Sequence, residues 1–500
     1  MLNFPDYKNL LLSVLSGFLI GISYPSLPLG FLAWIGFIPL FIVLISCKNN
    51  YLFKYGYLAG ITSHFITLYW IGLNSGAGFV PVFLSLIGAV FYLSLYWGLF
   101  TTILGILINI KPSFLWFSPL IWTSLEWIRS FGPLGFPWID LALTQTRFLP
   151  LIQIMDVTGS SGVSFWIMTL NVLLFLFFNS KDSRKKYAVC AIGLIGLLWI
   201  FGLMKINSIE NIPLNNSIQV AITQPNVDPN EKWERNNRES TFNLMHMLLD
   251  EAINMNPDLI LWPETALPSY LRLSSSDRRP IQEKVDNYNI PLLSGTIDKQ
   301  FSKGGFPLYF NGSIYLQPNK PSEVYHKVKL VPFAEYVPLS DFFPKLSELN
   351  FGQGNFTKGN EFTLFSIGDD YFSNLICYES SLPDVVRKFV MRGAKFLTIQ
   401  ANDGWLGNSS GPFQHFELAI LRAVENRRSI VRSANTGISG VITPSGKVKV
   451  QKNIGERSVF IDSIPLFELN TFYTEHGNIL GKLSSIMIVL SLGVLIWLKK

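Results

Sequence analysis

The sequence predicts an α-helical transmembrane bundle of about eight spans joined to an α/β domain, on three observations. The 500 residues are 49% hydrophobic and only 15% charged, whereas soluble domains average about 25% charged residues. The charged residues are unevenly distributed, with 15 in residues 1–204, 57 in 205–482 and 2 in 483–500. Long apolar runs fill the two regions that are poor in charged residues. In the region that is rich in them, short apolar runs alternate with helical stretches. We therefore predict a membrane domain with about seven spans at 1–204, a globular domain at 205–482 and a final span at 483–500.

The transmembrane spans are predicted from runs of about 20 mostly apolar residues. These runs lie near residues 9–24, 29–47, 54–73, 80–109, 113–129, 158–179, 187–204 and 484–498. The fourth run is long for one span, so we expect it to tilt or kink. The first run lacks a small-residue cleavage site and six more follow it, which favours an anchor over a removed signal peptide.

Loop charges predict the orientation, because Lys and Arg accumulate in cytoplasmic loops. With the N-terminus inside, ten basic residues fall on the inner side, at positions 8, 48, 54, 111, 181, 184, 185, 186, 499 and 500. Only Arg129 and Arg147 fall outside. Both termini are therefore expected in the cytoplasm and residues 205–482 beyond the membrane. That region has 28 basic and 29 acidic residues, so it lacks the excess positive charge that nucleic-acid binding requires.

The globular region is predicted to alternate strands and helices. Strands are predicted at 218–222, 258–262, 291–295, 312–316, 362–367, 373–377, 395–400, 430–432, 440–443 and 458–461, and helices near 231–255 and 414–426. Strands that are apolar throughout are typical of sheets covered on both faces. A layered α/β fold follows.

Two ionisable residues lie at a membrane edge, at the end of the fifth predicted span. Glu126 and Arg129 are spaced i, i+3, so they are expected to form an ion pair on one helix face. Charged groups at a membrane edge can alternatively mark a functional site.

Three residues could carry chemistry: Glu264 and Cys377, which each end an apolar strand, and Lys327, which lies in the segment Tyr-His-Lys-Val-Lys-Leu-Val-Pro-Phe-Ala-Glu at 325–335. Cys377 is the only thiol of the globular region, since Cys47 and Cys190 fall in predicted spans. A leftover thiol outside the cytoplasm is a candidate reactive group, although a lone Cys is often a small buried hydrophobe. The polar pair that follows Cys377 ends the apolar run abruptly and favours an exposed turn.

A nucleophilic thiol needs a base or a positive field, because its ordinary pKa is about 8.5. Glu264 could accept the proton, and Lys327 could favour the thiolate and stabilise an oxyanion. The histidines His246, His326 and His415 are interpreted as structural. No phosphate loop and no Cys/His ligand spacing is found, so we expect neither a nucleotide cofactor nor a metal.

Several motifs, taken in order, resemble the apolipoprotein N-acyltransferase family, whose catalytic domain belongs to the nitrilase (carbon-nitrogen hydrolase) superfamily. They are Trp-Pro-Glu-Thr-Ala at 262–266, Leu-Val-Pro-Phe-Ala-Glu-Tyr-Val-Pro at 330–338, Ile-Cys-Tyr-Glu at 376–379, Asn-Asp-Gly-Trp at 402–405, Gln-His at 414–415, Arg-Ala-Val-Glu-Asn-Arg at 422–427, Asn-Thr-Gly-Ile at 435–438 and Gly-Phe-Pro-Trp at 135–138. The resemblance covers essentially the whole chain. It implies an α-β-β-α sandwich for residues 205–482. Departures from the family pattern are small: Ala334 and Leu406 replace the more usual Gly and Phe, and Gly404 replaces Ala.

The same resemblance implies roles for individual residues. Glu264 would be the general base, Lys327 the oxyanion and thiolate stabiliser and Cys377 the nucleophile. Supporting roles would fall to Glu335, a second glutamate, and to Tyr378 and Glu379, which follow the nucleophile. Trp233 and Trp405 would lie near the substrate.

The activity implied is ping-pong acyl transfer through a Cys thioester. The acyl donor would be a phospholipid, the acceptor a diacylated lipoprotein and the cofactor none. The resemblance also implies an inner-membrane protein with a periplasmic catalytic domain, and we expect a monomer. Two alternatives stay open: a membrane-tethered amidase that uses the same triad on small amides, and a non-enzymatic receptor or transporter.

An apolar loop between Glu335 and Cys377 contains Pro338, Phe342, Phe343, Pro344, Leu346, Leu349 and Phe351. We hypothesise that this loop, within residues 338–359, is a mobile flap over the lipid entrance. An ordinary covered loop is the alternative.

Overall fold

A computed structural model describes residues 6–47, 49–212, 216–338 and 355–498. The helices are α1 (Tyr7–Ile22), α2 (Ile38–Ser46), α3 (Leu52–Leu68), α4 (Phe79–Ile110), α5 (Ser118–Arg129), α6 (Leu149–Ile152), α7 (Met155–Thr158), α8 (Ser160–Asn179), α9 (Arg184–Glu210), α10 (Arg235–Asn254), α11 (Ser275–Tyr288), α12 (Pro383–Met391), α13 (Ser410–Asn426), α14 (Phe472–His476) and α15 (Ile479–Leu498). The strands are β1 (Ser217–Gln224), β2 (Leu259–Leu261), β3 (Leu292–Phe301), β4 (Pro307–Leu316), β5 (Glu323–His326), β6 (Leu364–Ile367), β7 (Asp370–Ile376), β8 (Phe396–Ala401), β9 (Ser429–Ala434), β10 (Gly440–Ile442), β11 (Val448–Gln451) and β12 (Ser458–Pro465). The predicted flap at 342–351 lies outside the described residues.

The chain divides into two compact units. The helical unit comprises Met1–Gly72, Phe79–Glu210 and His476–Lys500, and the α/β unit comprises Leu73–Gly78 and Asn211–Glu475. The α/β unit thus includes the short connection between α3 and α4 as well as the long globular segment.

The helical unit is packed through small residues. Gly56 of α3 lies so close to α4 that a Cβ atom there would stand 2.0 Å from Thr101 Oγ1, and one at Gly17 of α1 would stand 2.2 Å from the Ala59 carbonyl oxygen. Glycine at these crossings lets the backbones of neighbouring helices approach closely, as is typical of helix packing in membranes.

Helices occupy each of the eight ranges in which a span was predicted, but they differ in length. Among the described residues, α4, α8 and α9 are long and apolar enough to cross a membrane. Others are shorter apolar helices: α2, for example, begins only at residue 38, with a 3₁₀ turn (Gly30–Trp34) before it and a proline at its start. A proline in the first turn of a helix is well tolerated, because the backbone N–H that it lacks would have no partner within the helix there. The total of eight spans stays a prediction.

The ion pair predicted between Glu126 and Arg129 is wrong. Arg129 Nη2 lies 2.8 Å from Asp140 Oδ1, and both residues are buried. Glu126 Oε1 instead accepts hydrogen bonds from Trp122 Nε1 at 2.8 Å and from the Leu141 backbone N–H at 2.9 Å. The spacing rule failed because α5 ends at Arg129, where the chain turns back and brings acceptors and donors from residues 140–141 against the helix.

The α/β unit contains two six-stranded mixed sheets. Sheet A has the order β12-β1-β2-β3-β4-β5, and sheet B has the order β11-β10-β9-β8-β7-β6. Parallel pairing occurs at the centre of each, between β1, β2 and β3 in sheet A and between β7, β8 and β9 in sheet B. The outer strands pair antiparallel. All ten predicted strands are present, whereas β5 and β11, each only four residues long, were missed.

Helices cover the outer faces of both sheets, which gives the predicted layered fold. On sheet A the core includes Leu248 and Leu249 of α10, Ile281 and Val285 of α11 and the fully buried Trp262. On sheet B, α12 contacts β7, and α13 contacts β9 and β10. Burial of a large apolar side chain stabilises the fold by roughly 1.5–3 kcal/mol.

Polar side chains join the two sheets across their inner faces. Gln400 Nε2 of β8 donates to the Trp262 carbonyl at 2.7 Å, and its Oε1 accepts from Ser313 Oγ of β4 at 2.5 Å and from Asn374 Nδ2 of β7 at 2.9 Å. A buried polar network of this kind specifies the sheet alignment because each group would be costly to leave unpaired. It therefore fixes the distance between the strands that carry Glu264 and Cys377.

Candidate active site

The three sequence-predicted residues follow strands that end at one edge of the sandwich. Glu264 follows β2, Lys327 follows β5 and Cys377 follows β7. Strand ends on a rigid scaffold are where loops usually present functional side chains. Lys327 Nζ lies 3.8 Å from Glu264 Oε1, and electrostatic interactions link Cys377 with both Lys327 and Glu264. The fold thus brings the three residues together.

Cys377 sits in a tight turn that begins directly after β7. Its backbone φ is +50°, in the left-handed region that a β-carbon disfavours. The Ser380 hydroxyl donates to the Cys377 carbonyl at 2.8 Å. Strain of this kind persists only where the surroundings enforce it, and it is common at functional sites. The turn is less exposed than the sequence predicts: Cys377 itself is half-buried, but Tyr378 is 7% exposed and Glu379 is fully buried.

Glu264 and Lys327 belong to a buried network with Glu335 and Asn311. Glu335 Oε1 accepts from Lys327 Nζ at 2.9 Å and from Asn311 Nδ2 at 2.8 Å. The same Asn311 nitrogen donates to Glu264 Oε1 at 2.8 Å. Glu335 Oε2 accepts from the Val331 backbone N–H at 2.7 Å. One ammonium therefore lies beside two carboxylates, and an amide from the middle of β4 fixes the position of both.

The charges of this network follow from burial and from neighbouring groups. Burial raises the pKa of Glu264, Lys327 opposes that rise and Glu335 adds to it. Burial disfavours the protonated form of Lys327, but Glu335 and Glu264 outweigh it and raise the Lys327 pKa. Burial, followed by the Glu264 charge, raises the pKa of the Cys377 thiol well above its ordinary value. The arrangement thus holds a neutral thiol beside a carboxylate of increased basicity and a permanent cation.

Glu379 holds the nucleophile turn against the segment that carries Lys327. Its Oε1 accepts from the Tyr325 hydroxyl at 2.8 Å and from the backbone N–H groups of Val328 and Lys329 at 2.7 and 3.1 Å. Its Oε2 accepts from the Ile376 N–H at 2.9 Å. Burial raises the Glu379 pKa to about 7. Because one carboxylate holds both segments, Glu379 sets the distance between Cys377 and Lys327.

His415 also contacts the nucleophile turn, which its interpretation as a structural residue did not anticipate. His415 Nε2 lies 3.0 Å from the Cys377 carbonyl oxygen, and His415 Nδ1 lies 2.7 Å from Asp403 Oδ1. Asp403 Oδ2 in turn accepts from Arg432 Nη2 at 2.6 Å. The Gln-His pair at 414–415 was noted as a motif, but no spacing in the sequence indicates that it approaches Cys377.

The same residues form the candidate metal site among the described residues. Ligand atoms of Cys377, Asp403 and His415 lie within 4.8 Å of one another. The Arg432 guanidinium is bonded to Asp403 at 2.6 Å, so a fixed positive charge already neutralises this carboxylate. A cation would have to displace that pairing, so the geometry favours an ion-paired positioning cluster over a metal centre.

The two tryptophans predicted near the substrate differ in their surroundings. Trp233 is 44% exposed, and its neighbour Lys232 is buried and donates from Nζ to the Thr265 carbonyl, directly after Glu264. Burial lowers the Lys232 pKa to about 8. Trp405 is half-buried, and its carbonyl accepts from the Ser75 N–H at 2.8 Å. Lys232 therefore links the segment that presents Trp233 to the segment that presents Glu264.

Comparison with known proteins places both parts of the chain. Residues 16–173 match the family model of the apolipoprotein N-acyltransferase N-terminal domain, and residues 219–471 match that of carbon-nitrogen hydrolases. Apolipoprotein N-acyltransferase of Chlorobaculum tepidum is 34% identical, over 94% of this chain and 93% of its own length. The Geobacter metallireducens protein of the same name is 32% identical, over 96% and 94%.

Solved structures also align with about half of the chain. A mutant of the Nesterenkonia AN1 amidase, from the nitrilase superfamily, aligns with a TM-score of 0.39 and 18% identity, covering 51% of this chain and 93% of the amidase. Saccharomyces cerevisiae Nit3, of the same superfamily, aligns with a TM-score of 0.39 and 17% identity, covering 50% and 91%.

Proposed function

The chain belongs to the apolipoprotein N-acyltransferase family, and from that premise we propose the reaction that takes place at its catalytic edge, the edge of the sandwich that carries Glu264, Lys327 and Cys377. The protein is an acyltransferase that N-acylates lipoproteins. The fatty acyl chain comes from a membrane phospholipid and passes through a thioester on Cys377. It ends on the α-amino group of the N-terminal diacylglyceryl-cysteine of an apolipoprotein. The observation that carries this proposal is the buried Glu264–Lys327–Glu335 network at the strand end beside the Cys377 turn.

The first half-reaction forms the thioester. Glu264 accepts the Cys377 thiol proton while the sulfur attacks the ester carbonyl carbon of the phospholipid. Lys327 stabilises the oxyanion of the tetrahedral intermediate. The intermediate collapses by breaking the ester C–O bond, and Glu264 returns the proton to the departing alkoxide. Lysophospholipid leaves, and Cys377 stays acylated.

The second half-reaction uses the same groups in the reverse order. The free α-amine attacks the thioester carbonyl and loses a proton to Glu264. Lys327 again stabilises the oxyanion, the C–S bond breaks, and the sulfur regains the proton from Glu264. The new amide leaves with the lipoprotein. Each half-reaction returns the base and the thiol to their starting protonation states, so no external acid, metal or nucleotide takes part.

Supporting roles follow from the contacts. Glu335 and Asn311 hold Lys327 and Glu264, and Glu379 holds the nucleophile turn. Trp233, exposed beside the anchored Lys232, is proposed to contact the substrate, together with Trp405. We assign no step to Tyr378 beyond its place in the buried turn.

The location is proposed from loop charges and the family. The protein is a multi-pass inner-membrane protein with both termini in the cytoplasm. Residues 205–482 form the catalytic domain on the periplasmic side. The protein acts as a monomer. A membrane location suits the chemistry, because withdrawing an acyl chain from the bilayer costs about 0.8 kcal/mol per CH₂ group. Lys185→Cys and Asp369→Cys, each in a Cys47→Ser, Cys190→Ser, Cys377→Ser background and labelled in intact cells with a membrane-impermeant reagent, test it: both positions are exposed, and the proposal expects reaction at position 369 alone.

The reaction is tested with purified protein and phospholipid that carries a labelled acyl chain. We expect a hydroxylamine-sensitive adduct that Cys377→Ser abolishes and Cys190→Ser, at an exposed thiol of the helical unit, leaves intact. Adding a diacylated lipopeptide should transfer the label to its amine. An adduct without transfer would contradict the acyltransferase reaction, and hydrolysis of small amides at a greater rate would favour the amidase alternative.

A further inference from the structure

The tip of the β3–β4 hairpin, residues 299–309, carries an exposed aromatic and basic surface that the acyl-transfer chemistry does not use. Phe301 is 66% exposed and Phe306 is 72% exposed. They flank a turn in which the Ser302 N–H donates to the Phe306 carbonyl at 2.9 Å. Two large exposed aromatic rings at one turn form an apolar patch of the kind that marks an interaction site.

The charges around this tip are all positive. Lys299 and Lys303 belong to the tip, and no Asp or Glu occurs from residue 299 to residue 322. Lys299 Nζ lies 5.2 Å from the centre of the Phe301 ring and 5.5 Å from that of Tyr309. A lysine that lies along aromatic rings and keeps its ammonium outward matches the boundary between acyl chains and anionic headgroups.

The nearest acidic residue is already neutralised. Asp298 is fully buried. Its Oδ1 accepts from Arg272 Nε at 2.8 Å, and its Oδ2 lies 2.8 Å from His326 Nε2. Arg272 also donates to the Lys299 carbonyl at 2.8 Å, which brings the exposed Leu273 next to the hairpin. The base of the hairpin is therefore held by the contacts of Arg272 and His326 with the buried Asp298, while its tip carries two exposed aromatic rings and two lysines.

The hairpin points away from the sandwich at the catalytic edge. β3 runs parallel to β2, with Leu293 paired with Leu261, and the Ala266 N–H just after Glu264 donates to the Gly295 carbonyl. β3 then continues to Phe301, which is about 20 Å further at roughly 3.4 Å per residue. The aromatic tip thus lies beyond the edge that carries Glu264.

We propose that the β3–β4 tip inserts Phe301 and Phe306 into the bilayer surface beside the catalytic edge, with Lys299 and Lys303 against anionic lipid headgroups. The partner is a phospholipid surface, since the patch combines apolar rings with cations and contains no acidic group. This proposal takes one premise from the proposed function, namely that both substrates have acyl chains in the bilayer. Its main test does not require activity.

The test places an environment-sensitive fluorophore on the tip. Ser302→Cys is labelled in a Cys47→Ser, Cys190→Ser, Cys377→Ser background of the full chain, in nanodiscs of phosphatidylethanolamine and phosphatidylglycerol. The control is Asp369→Cys, in the exposed turn between β6 and β7 at the opposite end of β7 from Cys377. We expect a blue-shifted emission at position 302 that lipid-borne nitroxides quench, and a water-like emission at position 369.

Two outcomes would overturn the proposal. Equal exposure of both probes to an aqueous quencher would show that the tip stays in water. Shielding at position 302 without quenching by lipid nitroxides would show that protein, including a second copy of the chain, covers it. If the full chain lacks acyltransferase activity but the probe is quenched by lipid, the proposed function fails while the membrane contact stands.

A kinetic measurement adds an independent readout in the active protein. Phe301→Ser combined with Phe306→Ser should raise the half-saturating concentration of vesicle-borne phospholipid by about tenfold or more, because two apolar rings no longer bind the surface. The rate with a soluble short-chain thioester donor should be unchanged. Tyr371→Ser removes an aromatic ring of 50% exposure from the opposite end of β7 and should change neither. Equal loss with both donors would contradict a surface-binding role.

Discussion

Replacing Glu335 with Gln should change the pH at which the general base becomes active. Glu335 and Glu264 both accept from Asn311 Nδ2 at 2.8 Å, so their Oε1 atoms are at most about 5.6 Å apart, twice that distance. Both side chains are buried. The repulsion between two such charges, at an effective dielectric constant near 20, is at least about 3 kcal/mol. This repulsion disfavours the ionised form of Glu264 and so contributes to the raised pKa of that carboxyl.

The direction follows from the charge that is removed. Burial and Glu335 both raise the Glu264 pKa, and Lys327 lowers it. Without the Glu335 charge, the repulsion that raises the Glu264 pKa is lost while the attraction of Lys327 that lowers it stays. The Glu264 pKa therefore falls. The base must be ionised to accept the thiol proton, so the acid limb of thioester formation should move to lower pH. The weaker base should also lower the plateau rate near neutral pH about tenfold.

The assay is single-turnover thioester formation from labelled phospholipid, measured from about pH 4 to pH 9. Glu335→Asp is the matched control because it keeps the charge, and its acid limb should stay near that of the natural protein. An acid limb that does not move in Glu335→Gln would refute the electrostatic reasoning. An equal shift in both variants would show that geometry, rather than charge, sets the Glu264 pKa.

Three further predictions follow from other contacts. Glu379→Gln should slow acylation by about 10- to 100-fold in the same assay, because one charge-assisted bond to the nucleophile turn is lost and the others weaken. His415→Phe, which loses the contact with the Cys377 carbonyl, should slow acylation about tenfold, whereas His415→Gln keeps a donor and should lie within about threefold; identical rates in the two variants would contradict positioning through that bond. Arg129→Met should destabilise the helical unit by about 3–5 kcal/mol in detergent unfolding, because Asp140 is left buried without its partner. The double variant with Asp140→Leu should recover most of that stability.

The sequence predicted the fold correctly where a strand or helix has a recognisable local pattern of apolar residues. Apolar runs indicated ten of the twelve strands described, and also α10 and α13. Along central strands such as β8, burial on both faces leaves a continuous hydrophobic signal. β11 alternates between partly buried and exposed residues over only four positions, which is too short for periodicity to identify. Helix lengths in the helical unit were predicted less well, since 3₁₀ turns and prolines begin α2 and α5 late.

The sequence could predict only those residues of the candidate site that lie at a strand end or in a recognisable motif. Glu264 and Cys377 each end a predicted strand, so the sequence could bring these two to one edge. Lys327 was identified from its motif alone, because the strand before it, β5, was missed. Asn311 lies within β4 and reaches the site only because β4 pairs with β5 in the observed register. His415 approaches Cys377 from the first turns of α13 in a different layer. Contacts between layers depend on packing that no local pattern encodes.

The protonation state of Cys377 decides how the other groups act. The sequence interpretation let Lys327 favour a thiolate, but burial and the nearby Glu264 charge raise the thiol pKa well above its ordinary value. In this site Lys327 already lies between two carboxylates, so its charge is largely matched before the thiol ionises. The resting nucleophile is then a neutral thiol, and Glu264 must remove its proton as the sulfur attacks. Lys327 is left to stabilise charge that develops on the substrate oxygen, which is where an oxyanion stabiliser accelerates acyl transfer most.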